Sequence, residues 1–198
     1  MAIAYHGTWA LFDRFDPSHI LQGQGHFKFG VGAYLSDRYS SAAHYSGKTA
    51  NPDHYVYTVE IPDLTADNHL TSAKPVPPAI VERTSAKLGI AVPAEVCEKG
   101  KLFRKWLGNT LIGEGNTLKQ KMGSASLEAE KAASAFLPKI GVVLLVWPTS
   151  QNKPDEDLNY ALLDYEAFHI LQVDQVDLTP APKSALVEGS QRIVAKYQ

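Results

Sequence analysis

The stretch FGVGAYLSDRYSSAAHYSG, residues 29–47, contributes most to the fold prediction. Two glycines lead into the short apolar run GAYLS, which predicts a brief strand after a tight turn. Ser36 or Asp37 then offers a helix cap, and the helix is expected to run to about Tyr45 and to end at Gly47. A strand–turn–helix unit is therefore predicted early in the chain.

Strand patterns lie towards both ends of the chain and helical patterns lie between them. The strand candidates are residues 2–6, 32–36, 54–62, 141–147, 159–165 and 168–173. The middle, about 76–138, has prolines and glycines at the ends of its segments and apolar residues at helical spacing within them. It is expected to be a helical insertion, and the whole pattern predicts an α+β fold. We expect one domain over 1–178 and a C-terminal tail over 179–198, whose weak amphipathic pattern suggests one helix.

Composition excludes several classes of protein. At 198 residues, 44% hydrophobic and 20% charged, the chain has the composition of a single globular domain. Its 19 basic and 21 acidic side chains create no overall field that would attract nucleic acid or a membrane. Cys97 is the only cysteine, so no internal disulfide forms. No signal peptide is visible and the apolar stretch 140–148 is too short to span a membrane. The cytoplasm of the producing or the target cell is therefore the expected location, and export without a cleavable signal stays open.

Common catalytic and nucleotide motifs are missing from the sequence. The segment GNTLIGEG has the spacing of a phosphate-binding loop, but Glu114 stands where that loop needs lysine. There is no G-x-S-x-G motif for a serine hydrolase. The seven histidines form no H-E-x-x-H pair, and one cysteine cannot build a zinc site, so no bound metal is expected.

Two stretches suggest a site for a flat, polar ligand. A strand that ends in His6-Gly7 offers a ring donor and an exposed backbone N–H and C=O. Tyr34 and Tyr45 are eleven residues apart across the predicted strand-to-helix turn, so both rings could flank one planar heterocycle. Considered one by one, the same residues fit a structural histidine and packed core tyrosines better than a ligand site, and only their combination favours the site.

Three segments resemble the three motifs of the H-Y-E class of ADP-ribosyltransferases, which includes the poly(ADP-ribose) polymerases and diphtheria toxin. They are YHGT (5–8), FGVGAYLSDRYSSAAHYS (29–46) and NYALLDYEAFHI (159–170). A nearer resemblance is to the ADP-ribosyltransferase domains of large bacterial and phage polyvalent proteins. Those share HGT followed by F-D-x-F-D, which is FDRFD (12–16) here, and the likeness spans residues 4–173.

The resemblance implies a split, twisted pair of antiparallel sheets with a cleft for NAD⁺, which serves as co-substrate without a metal. It implies that His6 hydrogen-bonds the adenosine-side ribose and that the Gly7 backbone, with Thr8 beside it, holds the nicotinamide amide. Tyr34 and Tyr45 are expected to sandwich the nicotinamide ring. The reaction would break the nicotinamide–ribose bond through an oxocarbenium-like state.

Two residues depart from the family pattern. Ala42 replaces the serine that contacts the carboxamide, and Asn159 replaces the glutamate of the third motif. Asparagine can bind the ribose hydroxyl but cannot accept a proton, so transfer of a single unit is expected, with His6, Tyr34 and Asn159 as the catalytic set. If the register shifts by one pleat, Asp157 is the acid instead; otherwise the DED segment (155–157) is a solvated loop.

The acceptor is expected to be a macromolecule. A protein side chain is favoured, and an RNA or DNA base is next, because residues 99–121 carry six basic side chains against Glu114 alone. A bacterial or phage toxin or effector is the expected role, with a cognate antitoxin or immunity protein as a possible partner and no membrane. Two alternatives stay open: a catalytically inactive NAD⁺- or ADP-ribose-binding module, and an NAD⁺ glycohydrolase.

Overall fold

Within the residues that it describes, the computed structural model of the chain contains eight strands and four α-helices. It describes residues 1–19, 27–48, 51–114, 126–150 and 152–178, and the backbone of 191–196. The strands are β1 (Ala2–Thr8), β2 (Ala33–Ser36), β3 (Tyr55–Ile61), β4 (His69–Thr71), β5 (Leu144–Pro148), β6 (Leu158–Leu162), β7 (His169–Val176) and β8 (Gln191–Lys196). The helices are α1 (Tyr39–Ser46), α2 (Pro78–Leu88), α3 (Gly100–Leu111) and α4 (Leu127–Phe136).

The strands form one mixed sheet in the order β4-β5-β6-β2-β1-β3-β7-β8. All neighbours are antiparallel except β4 and β5, which run parallel from His69↔Leu144 to Thr71↔Val146. A parallel pair needs a long crossover, and the segment with α2, α3 and α4 supplies it. The α+β class is confirmed, whereas the expected pair of antiparallel sheets is replaced by one sheet with a parallel edge pair.

The sheet is nearly divided between β1 and β2. Their ladder consists of one residue pair, Tyr5↔Ser36, among the residues that the structure describes. On its other side β1 pairs with β3 along its whole length, from Ala2↔Ile61 to Thr8↔Tyr55. The strands β4-β5-β6-β2 and β1-β3-β7-β8 therefore form two halves that share a single ladder pair, Tyr5↔Ser36.

Apolar clusters cover both faces of the sheet. Helices α2, α3 and α4 pack on one face around Phe103, Leu107 and Trp147. On the opposite face, Tyr57 and Leu144 belong to a second cluster, and the loop after β1 packs against it. Helix α1 covers the first face over the other half of the sheet, where Ala42, Ala43, Val56 and Val176 are buried together. The candidate site residues His6, Tyr34 and Asn159 lie on the central strands β1, β2 and β6, between these clusters.

The predicted strands and helices are confirmed with shifts of a few residues at their ends. The predicted cap of α1 is wrong, because Arg38 holds the cap position without a side-chain bond. Ser36 Oγ instead accepts a hydrogen bond from the Arg38 amide, and Asp37 Oδ2 accepts one from the Leu158 amide at 2.8 Å. The suggested helix in the tail is also wrong over residues 191–196, which pair with β7 as a strand; residues 179–190 lie outside the described part.

No helix in the described segments is long and apolar enough to cross a membrane.

Candidate functional site

His6 bridges the two halves of the sheet with its side chain. Its Nδ1 lies 2.7 Å from the carbonyl oxygen of Tyr34 on β2. If the Tyr5↔Ser36 register continued, Gly7 would lie opposite Tyr34, but the ladder stops before that pair. Because a carbonyl only accepts hydrogen bonds, Nδ1 carries the proton and Nε2 of the neutral ring is an acceptor.

Aromatic rings surround His6. Phe15 lies edge-on at 5.1 Å between ring centroids, and Phe12 and Tyr57 lie at 6.2 and 6.1 Å. The Tyr57 hydroxyl accepts a hydrogen bond from the Phe12 amide and donates to the carbonyl oxygen of Ala10 or Phe12, which holds the loop after β1 in place. Burial lowers the pKa of His6, and the bond to the Tyr34 carbonyl offsets this in part. The imidazole is therefore neutral at physiological pH.

Gly7 allows helix α1 to contact strand β1 directly. A Cβ atom added at Gly7 would overlap the carbonyl oxygen of Ala42. The helix backbone thus lies against the strand at the position where the resemblance predicts a ligand-binding backbone. The Thr8 side chain has a local role, since its Oγ1 accepts a hydrogen bond from the Ala10 amide at 3.2 Å.

Tyr34 faces the helical layer. Its hydroxyl donates to the carbonyl oxygen of Gly30 at 2.7 Å, and its ring lies edge-on to Trp147 at 5.3 Å. Burial raises the pKa of Tyr34 to about 12, although the Phe29 amide and the Arg104 charge act in the opposite direction. The phenol is therefore neutral and serves as a donor.

Tyr45 has different surroundings from Tyr34. It lies in the last turn of α1, three residues after Ala42 and thus on the same helix face. Its side chain is 56% exposed, and the Lys48 ammonium lies 4.2 Å from the ring centroid. Tyr45 is consequently an exposed ring beside the contact between α1 and Gly7, whereas Tyr34 is packed between sheet and helices.

Asn159 lies on β6 in a row of residues that crosses the sheet. It is opposite Ser36 on β2 and opposite Trp147 on β5, and Ser36 is in turn opposite Tyr5 on β1. Its Nδ2 donates to Thr149 Oγ1 at 2.8 Å. That bond orients the amide and leaves Oδ1 as the atom that can accept a hydrogen bond from a ligand.

Asp157 does not fit the alternative role suggested for it. It precedes β6 and has a left-handed backbone, with φ of 50°, so strand alternation does not extend to it. Its carboxylate forms an ion pair with Arg38 at 2.9 Å. The assumption that Asp157 shares a strand face with Asn159 is therefore wrong. Asp155 and Glu156 pair with lysines at the surface, as a solvated loop would.

Alternation along the strands separates the motif residues onto two faces. Tyr34 and Asn159 point to the face covered by α2–α4, whereas His6 packs with Phe12 and Phe15 on the opposite face. The His6 ring reaches the Tyr34 carbonyl because the β1–β2 ladder ends before these residues and the two strands separate there. A ligand that contacts both His6 and Asn159 must therefore pass through this separation.

The basic segment 99–121 is less exposed than its composition suggests. Lys99 and Lys101 are exposed, whereas Arg104 and Lys105 are buried. Lys119 and Lys121 lie outside the described residues. Within the described ranges, no three His, Cys, Asp or Glu side chains are grouped so that they could hold a metal ion.

Several residues around the site were not found from the sequence. Trp147 and Thr149 reach Asn159 through the β5–β6 pairing, and Ser36 reaches it through the β2–β6 pairing. Their sequence context carries no signal for this role, because it depends on strand register. Ser36 was considered only as a helix cap.

Comparisons with protein-family models, with curated proteins and with solved structures find no match.

Proposed function

We propose that the chain is a mono-ADP-ribosyltransferase that transfers ADP-ribose from NAD⁺ to a macromolecular acceptor. The observation that carries the proposal is that the three motif residues lie on adjacent strands beside one break in the backbone pairing of the sheet. His6, Tyr34 and Asn159 lie on three adjacent strands, β1, β2 and β6, around the point where β1 and β2 separate. Neighbouring strands are ~4.8 Å apart, so the set spans roughly 10 Å, which suits one dinucleotide.

The hydrogen-bonding capacity of these residues fits NAD⁺. The free Nε2 of His6 can accept from a ribose hydroxyl, because Nδ1 is committed to Tyr34. The Gly7 backbone lies beyond the last β1–β2 pair, where its polar groups can meet a carboxamide. We place the dinucleotide through the separation, with the adenosine ribose at His6 and the nicotinamide end towards Tyr34.

In the proposed reaction the bond between the nicotinamide nitrogen and the ribose C1′ breaks. Its electron pair goes to the nicotinamide, a nucleophile of the acceptor bonds to C1′, and the proton of that nucleophile passes to solvent. Asn159 Oδ1 accepts from the ribose hydroxyl and gives weaker stabilisation of positive charge than a carboxylate. Since the carboxylate nearest to Asn159 in the sequence, Asp157, is paired with Arg38, an acceptor that is already nucleophilic and a single transferred unit are favoured.

For the acceptor we propose a protein side chain, with an effector or toxin role. Burial of Arg104 and Lys105 removes two cations from the segment that favoured a nucleic acid. RNA or DNA stays the second choice, as the sequence suggests.

A binding module without catalysis is the alternative that one observation favours. Asn159 holds the third motif position and its amide is fixed by Thr149, a geometry suited to binding ribose without general-base chemistry. An NAD⁺ glycohydrolase would need only water as the acceptor.

The deciding experiment is incubation with NAD⁺ labelled on the adenine side in a cell lysate, followed by separation of protein, RNA, DNA and free ADP-ribose. Label on one macromolecular pool supports transfer and names the acceptor class. Free ADP-ribose alone indicates a glycohydrolase, and NAD⁺ binding without turnover indicates a binding module. The variants His6→Ala and Tyr34→Ala should abolish turnover, and full activity in both would refute the site. Arg83→Met on α2 serves as a control away from it.

A further inference from the structure

The loop that precedes Tyr34 is fastened to the helical layer. We define the glycine loop as residues 27–32. Arg104 Nη2 on α3 donates to the carbonyl oxygen of Lys28 at 3.2 Å, and Ser134 Oγ on α4 accepts from the Val31 amide at 2.9 Å. Both anchors come from segments far along the chain, so the helices determine where the loop lies.

The same loop holds Tyr34. The Tyr34 hydroxyl donates to the Gly30 carbonyl at 2.7 Å and is close to the Phe29 amide at 3.4 Å. The Phe29 ring stacks on Trp147 at 4.3 Å with an interplanar angle of 1°, and Tyr34 lies edge-on to the same indole. Displacement of the loop would therefore move the Tyr34 side chain.

The space around Gly30 shows how closely the helices fit the loop. Gly30 has a φ of 108°, a conformation that disfavours any side chain. A Cβ there would overlap the Leu145 side chain and would lie 3.6 Å from both Arg104 Cδ and Ser134 Oγ. The loop backbone is thus in contact with β5, α3 and α4 together.

Arg104, which anchors the Lys28 carbonyl, also forms a buried ion pair with Glu130. Arg104 Nε and Nη2 donate to the two Glu130 oxygens at 2.7 and 3.1 Å, and the two side chains are 2% and 3% exposed. Apolar residues of similar volume often stabilise a core as well as a buried ion pair does. An apolar pair could not donate a hydrogen bond to the Lys28 carbonyl. The Arg104–Glu130 pair therefore does more than fill the core.

We propose that Arg104, held by Glu130, is a positioning residue that fixes the glycine loop and thereby orients Tyr34 for the nicotinamide end of NAD⁺. This inference rests on the proposed function. Arg104 does not touch the dinucleotide in this arrangement and acts through Lys28 and Gly30. It gives the helical insertion a role in substrate binding as well as in the core.

The test separates positioning from stability with the double variant Arg104→Met/Glu130→Leu, which keeps the core filled. Because the double variant keeps the Tyr34 ring and changes only its position, we expect weaker binding of the nicotinamide and not loss of the chemical step. We expect the KM for NAD⁺ to rise about tenfold, the size expected for loss of a charged hydrogen bond, with kcat within about twofold of the original. Arg83→Met removes an arginine that likewise binds a carboxylate and a backbone carbonyl, both of Asp67, and should leave KM unchanged.

A second measurement needs no turnover. In protein labelled with ¹³C at the tyrosine ring carbon that bears the hydroxyl, the Tyr34 signal is assigned by its loss in Tyr34→Phe. That signal should shift in the double variant and stay in place in Arg83→Met. A folded double variant with unchanged KM and an unchanged Tyr34 signal overturns the inference.

Two further outcomes are also decisive. If the double variant does not fold, Ser134→Ala removes the other anchor, and the Tyr34 signal and KM should move in the same direction; their constancy overturns the inference. If the unmodified protein neither binds nor turns over NAD⁺, the proposed function fails and the assigned role of Arg104 in NAD⁺ binding fails with it. A Tyr34 shift in the double variant would then show only that Arg104 orients the loop.

Discussion

The His6 ring nitrogen Nδ1 and the Tyr34 carbonyl oxygen, 2.7 Å apart, join two strands whose backbone ladder has already ended. A side chain thus replaces the next backbone hydrogen bond, and among the described residues the β1 backbone beyond it has no ladder pair with β2. The bond also fixes the tautomer of His6. One contact therefore joins the two halves of the sheet and leaves Nε2 as the acceptor atom of the His6 ring.

The affinity for NAD⁺ should fall in acid because of His6. Burial lowers its pKa from 6.5, so the ring stays neutral above that value and gains a proton only as the pH falls through the lowered folded pKa. Protonation turns Nε2 from an acceptor into a donor, which removes the bond to the ribose hydroxyl. Calorimetric titration with NAD⁺ from above pH 6.5 down through the lowered folded pKa should show this loss.

The same protonation makes a prediction for stability. The unfolded chain binds the proton at 6.5 and the folded chain only at lower pH, so stability is complete above 6.5 and is lost as the pH falls through the folded pKa. In His6→Asn the side-chain amide can still donate to the Tyr34 carbonyl, but it does not take up a proton as the pH falls. Thermal unfolding of the variant should therefore fall less steeply with acid than that of the original protein; equal slopes would contradict the buried neutral ring.

Gly7→Ala should destabilise the protein through helix α1. The new methyl group would overlap the Ala42 carbonyl, a backbone atom that moves only if the helix moves. Overpacking of this kind costs about 1–3 kcal/mol, or a Tm lower by about 2–4 °C for each kcal/mol. Calorimetric melting measures this.

Gly89→Ala is the control for Gly7→Ala. Gly89 has a φ of 70° with no atom within 4 Å of an added Cβ, so its variant carries only the left-handed backbone strain of about 1–2 kcal/mol. NAD⁺ affinity should fall in Gly7→Ala and stay constant in Gly89→Ala. The close contact of α1 with β1 would be disproved by a Gly7→Ala protein as stable as the original.

Local patterns predicted the elements well because each depends on neighbouring residues. Alternation in 54–62 marked β3, and proline followed by apolar spacing and Gly89 marked α2. The site could be predicted only as residue types. Its central contact, His6 with Tyr34, depends on the register between β1 and β2 and on the point where that ladder stops.

The errors have the same origin. From the sequence alone, Arg104 is predicted to be a surface cation, because the sequence does not show that α4 places Glu130 beside it. Asp157 would share a strand face with Asn159 only if its backbone were extended, and it is not. The terminal strand 191–196 has too weak a pattern to be distinguished from a helix, and its pairing with β7 decides it. These features depend on contacts between residues that are far apart in the sequence, and the periodicity of a single segment does not predict such contacts.

Thr149 should contribute to NAD⁺ binding by orienting Asn159. Thr149→Val keeps the shape and removes the oxygen that accepts from Asn159 Nδ2 at 2.8 Å. A net hydrogen bond of about 1 kcal/mol corresponds to roughly a fivefold loss of affinity. Asn159→Ala should lose more, because it also removes Oδ1.

A double-mutant cycle checks this relationship. If Thr149 acts through Asn159, Thr149→Val should have no effect in the Asn159→Ala background. Additive losses would instead mean that Thr149 contacts the ligand itself. NAD⁺ titration of the four proteins provides the measurement.

Tyr39→Phe should destabilise the attachment of α1 to β7. The Tyr39 hydroxyl donates to Asp174 Oδ2 at 2.9 Å, and Asp174 is 1% exposed, with Gln172 bonded to its other oxygen. Removal of the hydroxyl leaves a buried carboxylate oxygen without that partner, at a cost of about 1–3 kcal/mol. Tyr5→Phe is the matched control, because its ring packs edge-on against Tyr39 at 5.4 Å. In urea unfolding the midpoint should fall clearly for Tyr39→Phe and little for Tyr5→Phe; equal shifts would mean that the hydroxyl of Tyr39 does not stabilise α1.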